Sequence, residues 1–332
     1  MRWRNRSANA RRHKHEQCPM TTLPAPFSVP LSFGVFAPSG VVDQAQLTRA
    51  VNYLEGKGHR VVIAPETLKQ WRYFAGSDAQ RLAGFQRLIA DPTIDVMIMA
   101  RGGYGWSRLL HHIDWQAVAI SGKAICGFSD MTALSLGALA KAGLVTFSGP
   151  LLAIDFANIG VDPATKDDHE FMEANFWPVI LGQAHSAGPF VSAHSYAPQT
   201  IEGPIWGGNL SLLTHLLGTP YFPDVRGGIL FLEEIDEQPY AIERMYYQLY
   251  HAGVLRKQKA IVLANFAACE ATSGRYPYSL EEALETLRGL HTGPVLTGLP
   301  FGHVARKITL PFGGAARLKI ATDSFTLEFA AR

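Results

Sequence analysis

Apolar residues along this chain fall into two patterns, short unbroken runs and longer stripes spaced by three and four. Residues 31–37, 60–64, 94–100 and 124–127 are runs of the first kind. Residues 42–56 carry Leu47, Val51 and Leu54. Residues 78–90 carry Leu82, Phe85, Leu88 and Ile89, and both stripes describe one face of an amphipathic helix. A further apolar-periodic stretch covers 132–142. Strands alternating with helices at this pitch predict a parallel sheet with helices on both sides. Continuous β-branched runs fit strands buried on both faces. In such sheets ligands gather at the carboxyl ends of the strands.

The pattern changes after residue 150. One helix is predicted over 166–181 within polar, Pro- and Gly-containing loops. From about residue 200 the chain reads as strand 201–206, helix 209–217, strand 228–233, helix 240–250 and strand 260–264. Short strands follow near Val295, 308–310, 316–320 and 325–329. The predicted organisation is α/β: a parallel-sheet N-terminal domain over 29–155, a crossover over 156–198, and a smaller β-rich, barrel-like C-terminal domain over 199–332. No apolar run reaches the ~18–20 residues that a bilayer crossing needs.

Composition refines this picture in two places. The net charge is +2, but residues 1–16 hold six Lys/Arg against Glu16, so the remainder carries −3. A negative body argues against a nucleic-acid partner. Residues 1–28 lack the apolar segment of a secretory signal and read as a basic, disordered extension, with Met20 as a candidate start. Three widely spaced cysteines, Cys18, Cys126 and Cys269, suggest neither a disulfide frame nor a zinc site. Cys126, inside an apolar run, reads as a buried small hydrophobe. The 12 His include no H-E-x-x-H pair.

Three stretches carry candidate chemistry. Gly127-Phe128-Ser129-Asp130 leads from a strand into a helix, where unpaired N–H groups and the helix dipole favour negative charge. Ser-Asp there is also an ordinary N-cap signature, and the nucleophile elbow G-x-S-x-G is only half matched, with Met131 at +2. Arg101-Gly102-Gly103-Tyr104-Gly105 follows a strand end, and its glycines allow close backbone approach, either to a ligand or within a tight turn. Glu233 stands where the Phe231-Leu232 strand ends, while Glu234, Asp236 and Glu237 read as solvated or capping. His303 lies in a Gly/Pro-rich loop, free either to reach a cleft or to face solvent. A serine hydroxyl needs an imidazole to take its proton, and the imidazole needs a carboxylate to fix its tautomer. Ser129, Glu233 and His303 supply that set in chain order.

Taken together, VFAPSG (35–40), ARGGYG, the GFSD turn, GxxWGGNLxxL (203–213), LFLEE with PYxIER, and GLPFGH resemble the LD-carboxypeptidase family. That family comprises muramoyl-tetrapeptide carboxypeptidases, which are serine peptidases, and also includes microcin C immunity proteins. The resemblance covers nearly all of the chain from about Leu31 onward. It implies a flavodoxin-like N-terminal domain, a smaller β-rich C-terminal domain and a site between them. By motif position it makes Ser129 the nucleophile, His303 the base and Glu233 the acidic partner. The backbone N–H groups of Asp130 and Gly103 would form the oxyanion hole. Arg101, Tyr104, Trp206 and Arg306 are the candidate substrate-binding residues. The implied substrate is a murein tetrapeptide, cut to release its terminal D-Ala in cytoplasmic cell-wall recycling; the alternatives are a hydrolase of a different amide on the same scaffold, such as a microcin C-type aminoacyl-nucleotide conjugate, or a non-catalytic binding protein. The resemblance further implies a homodimer and no metal; no cofactor and no membrane partner are expected. The basic extension departs from the family pattern.

Overall fold

A computed structural model describes residues 21–270 and 277–332. Residues 1–20 of the basic extension, with Cys18, lie outside the described residues. Thr22 is bonded to the body: its N–H donates to Gly143 O and its carbonyl accepts from Val145 N.

In chain order the first part holds β1 (Ser32–Phe36), α1 (Gln44–Gly56), β2 (Arg60–Ile63), α2 (Asp78–Ala90), β3 (Val96–Met99), α3 (Trp115–Ile120), β4 (Ala124–Gly127), α4 (Met131–Ala142) and β5 (Thr146–Ser148). Then come α5 (Lys166–Leu181), β6 (His185–Val191), β7 (Gln199–Asn209), α6 (Leu210–His215), β8 (Ile229–Ile235), α7 (Pro239–His251), β9 (Ala260–Ala267), α8 (Leu280–Leu290), β10 (Val295–Leu296), β11 (Leu310–Phe312), β12 (Ala315–Ile320) and β13 (Ser324–Phe329).

The first sheet runs β11-β5-β4-β3-β1-β2. Its five N-terminal strands are parallel, in the flavodoxin-like order 2-1-3-4-5. β1, β3, β4 and β5 are buried along their whole length, as the apolar runs of β1, β3 and β4 require. β2 is an edge strand and only half buried. Asp43 caps α1, accepting from Gln46 N at 2.8 Å. A capping box of Ser77 and Gln80 starts α2. The core face of α2 is Arg81, Phe85, Leu88 and Ile89; Arg81 takes a buried place on it, and Leu82 lies at its margin.

The second sheet runs β10-β9-β8-β7-β12-β13-β6. Its β10–β7 half is parallel and its β7–β6 half antiparallel. The long strand β7 serves both, pairing with β12 over its first six residues and with β8 from Ile205 onward. The two edges draw together: Thr297 N donates to Ser192 Oγ at 3.2 Å, and Val295 N to Tyr196 Oη at 3.0 Å. β6, from the 156–198 stretch, belongs to this sheet.

Two features bind the halves. β11 leaves the second half and pairs antiparallel with β5, Leu310 opposite Ser148, before the chain returns as β12. Helix α4 is buried from Met131 to Leu139 because it packs between the first sheet and α6 and β7 of the second half. Its Thr132 Oγ1 accepts from Asn209 N at 3.1 Å. Among the described residues no helix is long and apolar enough to cross a membrane.

Candidate active site

Ser129 sits on the turn between β4 and α4 with φ +62°, a left-handed conformation that costs an L-residue roughly 1–2 kcal/mol. Such strain persists only where the surroundings fix it. Gly127 has no room for a side chain: a Cβ there would stand 3.0 Å from Met99 Cβ. Met131, where the elbow motif would have glycine, is the buried first residue of α4. The half-matched motif therefore still makes a sharp strand-to-helix turn. Among the described residues the Asp130 N–H has no hydrogen-bond partner.

His303 arrives from the loop between β10 and β11, the segment that passes from one sheet to the other. Its Nε2 lies 3.2 Å from Ser129 Oγ and its Nδ1 lies 2.9 Å from Glu233 Oε2. The loop is held by Asn265 N donating to Phe301 O at 3.0 Å and Ile308 N to Pro300 O at 2.8 Å. The Phe128 ring packs edge-on against the imidazole, with centroids 5.0 Å apart. Lys307 Nζ lies over the Phe128 ring, 4.0 Å from its centroid, and pairs with Asp155 at 2.6 Å, both groups buried.

Glu233 is fully buried on β8, where the pairing with β9 shifts register between Leu232 and Glu234. Neighbours on a strand point to opposite faces. Glu234 accordingly turns away, and its carboxylate accepts from Asn209 Nδ2, Ser211 N and Ser211 Oγ at 2.7–2.8 Å. It is buried rather than solvated, and it serves the start of α6. Burial pushes its carboxyl up, against the pull of those donors.

Gly102 and Gly103 follow β3. A Cβ on Gly102 would stand 3.3 Å from both Cβ and Oγ of Ser129. Gly103 has φ +113° and abuts Tyr73 Oη, which also accepts from Tyr104 N at 3.2 Å. Arg101 and Tyr104 are exposed on the same loop, and Arg101 Nη1 donates to Val41 O at 2.6 Å. Arg306 stacks on Phe171 at 3.7 Å and faces Asp168 at 3.6 Å. Trp206 is a correction. It is not a cleft residue: it is 1% exposed, donates to Gln258 Oε1 at 2.9 Å and packs on Phe222. Its position in the parallel, helix-covered part of β7 buries it.

Burial pushes the Asp130 carboxyl up to about 6 and the Cys126 thiol up strongly, so Cys126 is a core residue and not a nucleophile. Among the described residues no group of three or more His, Cys, Asp or Glu side chains is placed to hold a metal ion. Sequence reasoning passed over Ser39, Tyr73, Asp155 and Lys307, each of which touches this constellation. Only Ser39 carried a signal, its place in the VFAPSG block.

Residues 33–149 match the profile of the LD-carboxypeptidase N-terminal domain, and residues 202–318 that of the LD-carboxypeptidase C-terminal domain. A Bacillus subtilis (strain 168) protein named "Probable murein peptide carboxypeptidase" is 34% identical, over 89% of this chain and 91% of the relative. The microcin C7 self-immunity protein MccF of Escherichia coli is 30% identical, over 91% of this chain and 93% of that protein. A crystal structure of muramoyltetrapeptide carboxypeptidase from Oxalobacter formigenes superposes with a TM-score of 0.79 at 35% identity, covering 90% of this chain and 98% of the other.

Proposed function

Because this chain belongs to the LD-carboxypeptidase family, we propose that it is a serine carboxypeptidase releasing the terminal D-Ala from murein tetrapeptides. The observation that carries the reading is the continuous line Ser129–His303–Glu233, with separations of 3.2 and 2.9 Å, assembled from two sheets. In this reading His303 Nε2 takes the proton as Ser129 Oγ adds to the carbonyl carbon. Glu233 accepts from Nδ1–H and so fixes the tautomer. The oxyanion is held by backbone N–H groups of Asp130 and of the Gly102–Gly103 pair, each worth about 3–4 kcal/mol in comparable sites. The imidazolium then protonates the D-Ala amine as the C–N bond breaks. Water, deprotonated by the same imidazole, cleaves the acyl-enzyme.

The free carboxylate of the substrate needs a cation. Arg101 is preferred over Arg306: it directly precedes Gly102, is exposed, and among the described residues pairs with no carboxylate, whereas Arg306 faces Asp168. Arg101→Gln is expected to raise KM about tenfold with little change in kcat, as loss of a ground-state contact does. The family resemblance also supports a homodimer acting in the cytoplasm, which light scattering and fractionation would check.

The test is release of D-Ala from a murein tetrapeptide by the full chain and by Ser129→Ala. The expected result is release by the first and none by the second. The similarity to MccF favours one alternative, an aminoacyl-nucleotide conjugate cut at its amide. Turnover of an aminoacyl sulfamoyl adenosine without D-Ala release would replace the murein reading.

A further inference from the structure

Asp130 occupies the N-cap of α4 but does not cap it. An N-cap aspartate ordinarily accepts from the second or third backbone N–H of its helix. Here no such bond forms, although the Asp130 side chain is fully buried. Instead its Oδ2 accepts from Ser39 Oγ at 2.5 Å and from Trp106 N at 2.9 Å. Oδ1 has no partner among the described residues.

Those partners come from the ends of two other strands. Ser39 belongs to the turn after β1, and Trp106 closes the Gly-rich loop after β3. The same two loops touch directly, with Gly40 N donating to Gly102 O at 3.2 Å. At Gly105 they come so close that a Cβ would stand 2.8 Å from Ser39 Cα. Arg81, buried on α2, donates to Pro38 O and pairs with Asp78. Three strand-end turns therefore meet on one carboxylate, and the Gly102 loop lies against Ser129.

Stability does not account for this choice. A buried carboxylate with one oxygen unpaired is costly, and serine or asparagine would cap α4 without the charge. Local rules broken without a local gain concentrate at functional positions.

We propose that Asp130 is a positioning residue, whose carboxylate holds the Gly102–Gly103 loop against the Ser129 turn so that both oxyanion donors face one point. The proposal rests on Ser129 being the nucleophile. Displacing a donor by about 1 Å costs on the order of 100-fold in rate.

The test is phosphonylation of Ser129 by a fluorophosphonate, which needs the same donors and no natural substrate. The full-length chain, Asp130→Asn and Ser39→Ala are compared at a temperature where thermal melts show each folded. The maximal labelling rate is expected to fall about 10- to 100-fold in Asp130→Asn and about threefold or more in Ser39→Ala, with reagent affinity changed less than twofold. If Asp130→Asn does not fold, Ser39→Ala alone decides. Wild-type labelling rates in a folded variant, or losses that track the unfolded fraction, overturn the proposal. Labelling without D-Ala release by the parent chain would overturn the substrate reading and leave this one standing. An unlabelled parent chain overturns both.

Discussion

At the scale of single residues, adjacent carboxylates on β8 have separate partners because a strand sends neighbours to opposite faces. Glu233→Gln is expected to lower kcat by about 10²–10⁴, since the imidazole loses the acceptor that fixes its tautomer. Glu234→Gln places an amide among donors and leaves buried groups unpaired. Its melting temperature should fall by several degrees while kcat below the melt stays within about threefold. Equal kcat losses in the two variants would contradict this division. Asp130 offers a pH test. Burial raises its carboxyl from 3.8 to about 6, while Ser39, the backbone of Trp106 and the Arg81 charge pull it down. The folded chain thus holds this proton more tightly than the unfolded one. The resulting stability is full below pH 3.8 and is lost as pH rises through about 6. The melting temperature of Asp130→Asn minus that of the parent should therefore grow from pH 4 to pH 7. A constant difference would mean that Asp130 is not perturbed. Much at this scale was legible in sequence: Ser129, Glu233 and His303 each stood out in its own stretch. Trp206 was misread because a Gly-flanked tryptophan looks the same in a cleft wall and in a core.

At the scale of elements, the decisive piece is the loop between β10 and β11. It carries His303 and has an end in each sheet. Phe301 anchors it between Phe128 and Phe231, with ring centroids 6.0 and 5.3 Å away, and the buried Lys307–Asp155 pair fastens its far end. Lys307→Met strands the Asp155 carboxylate and is expected to cost about 3–5 kcal/mol in denaturant unfolding. Since that loop sets the imidazole, kcat should fall more than KM rises. A variant of unchanged stability and kcat would show that the pair does not hold the loop. No spacing in the sequence pointed to this pair, because its partners are 152 residues apart. Helix α8 was also passed over, although Ser279 and Glu282 form its capping box and Ala283 and Leu287 its buried face. There the local signal was present and unread. For β5 and α3, three and six residues long, the periodicity was too short to read.

At the scale of the whole molecule, alternating strand and helix patterns were enough to imply a parallel sheet with helices on both sides, because each of the first five strands is joined to the next in the chain by a helix, while the flavodoxin-like order came with the family resemblance. The second half was read as many short strands, and its sheet proved half parallel, with β7 shared by both parts. The exchange of β11 into the first sheet was not legible, since Leu310 pairs with Ser148 across the length of a domain. That exchange and the buried α4 are what let a hydroxyl from one half meet an imidazole and a carboxylate from the other. The most direct measurement of this claim is the mass-spectrometric location of the phosphonyl group after fluorophosphonate treatment of the parent chain and of His303→Ala. The account expects one group per chain, on Ser129, formed at least about 100-fold more slowly without the imidazole. A group on any other residue, or labelling of His303→Ala at the parent rate, would contradict it.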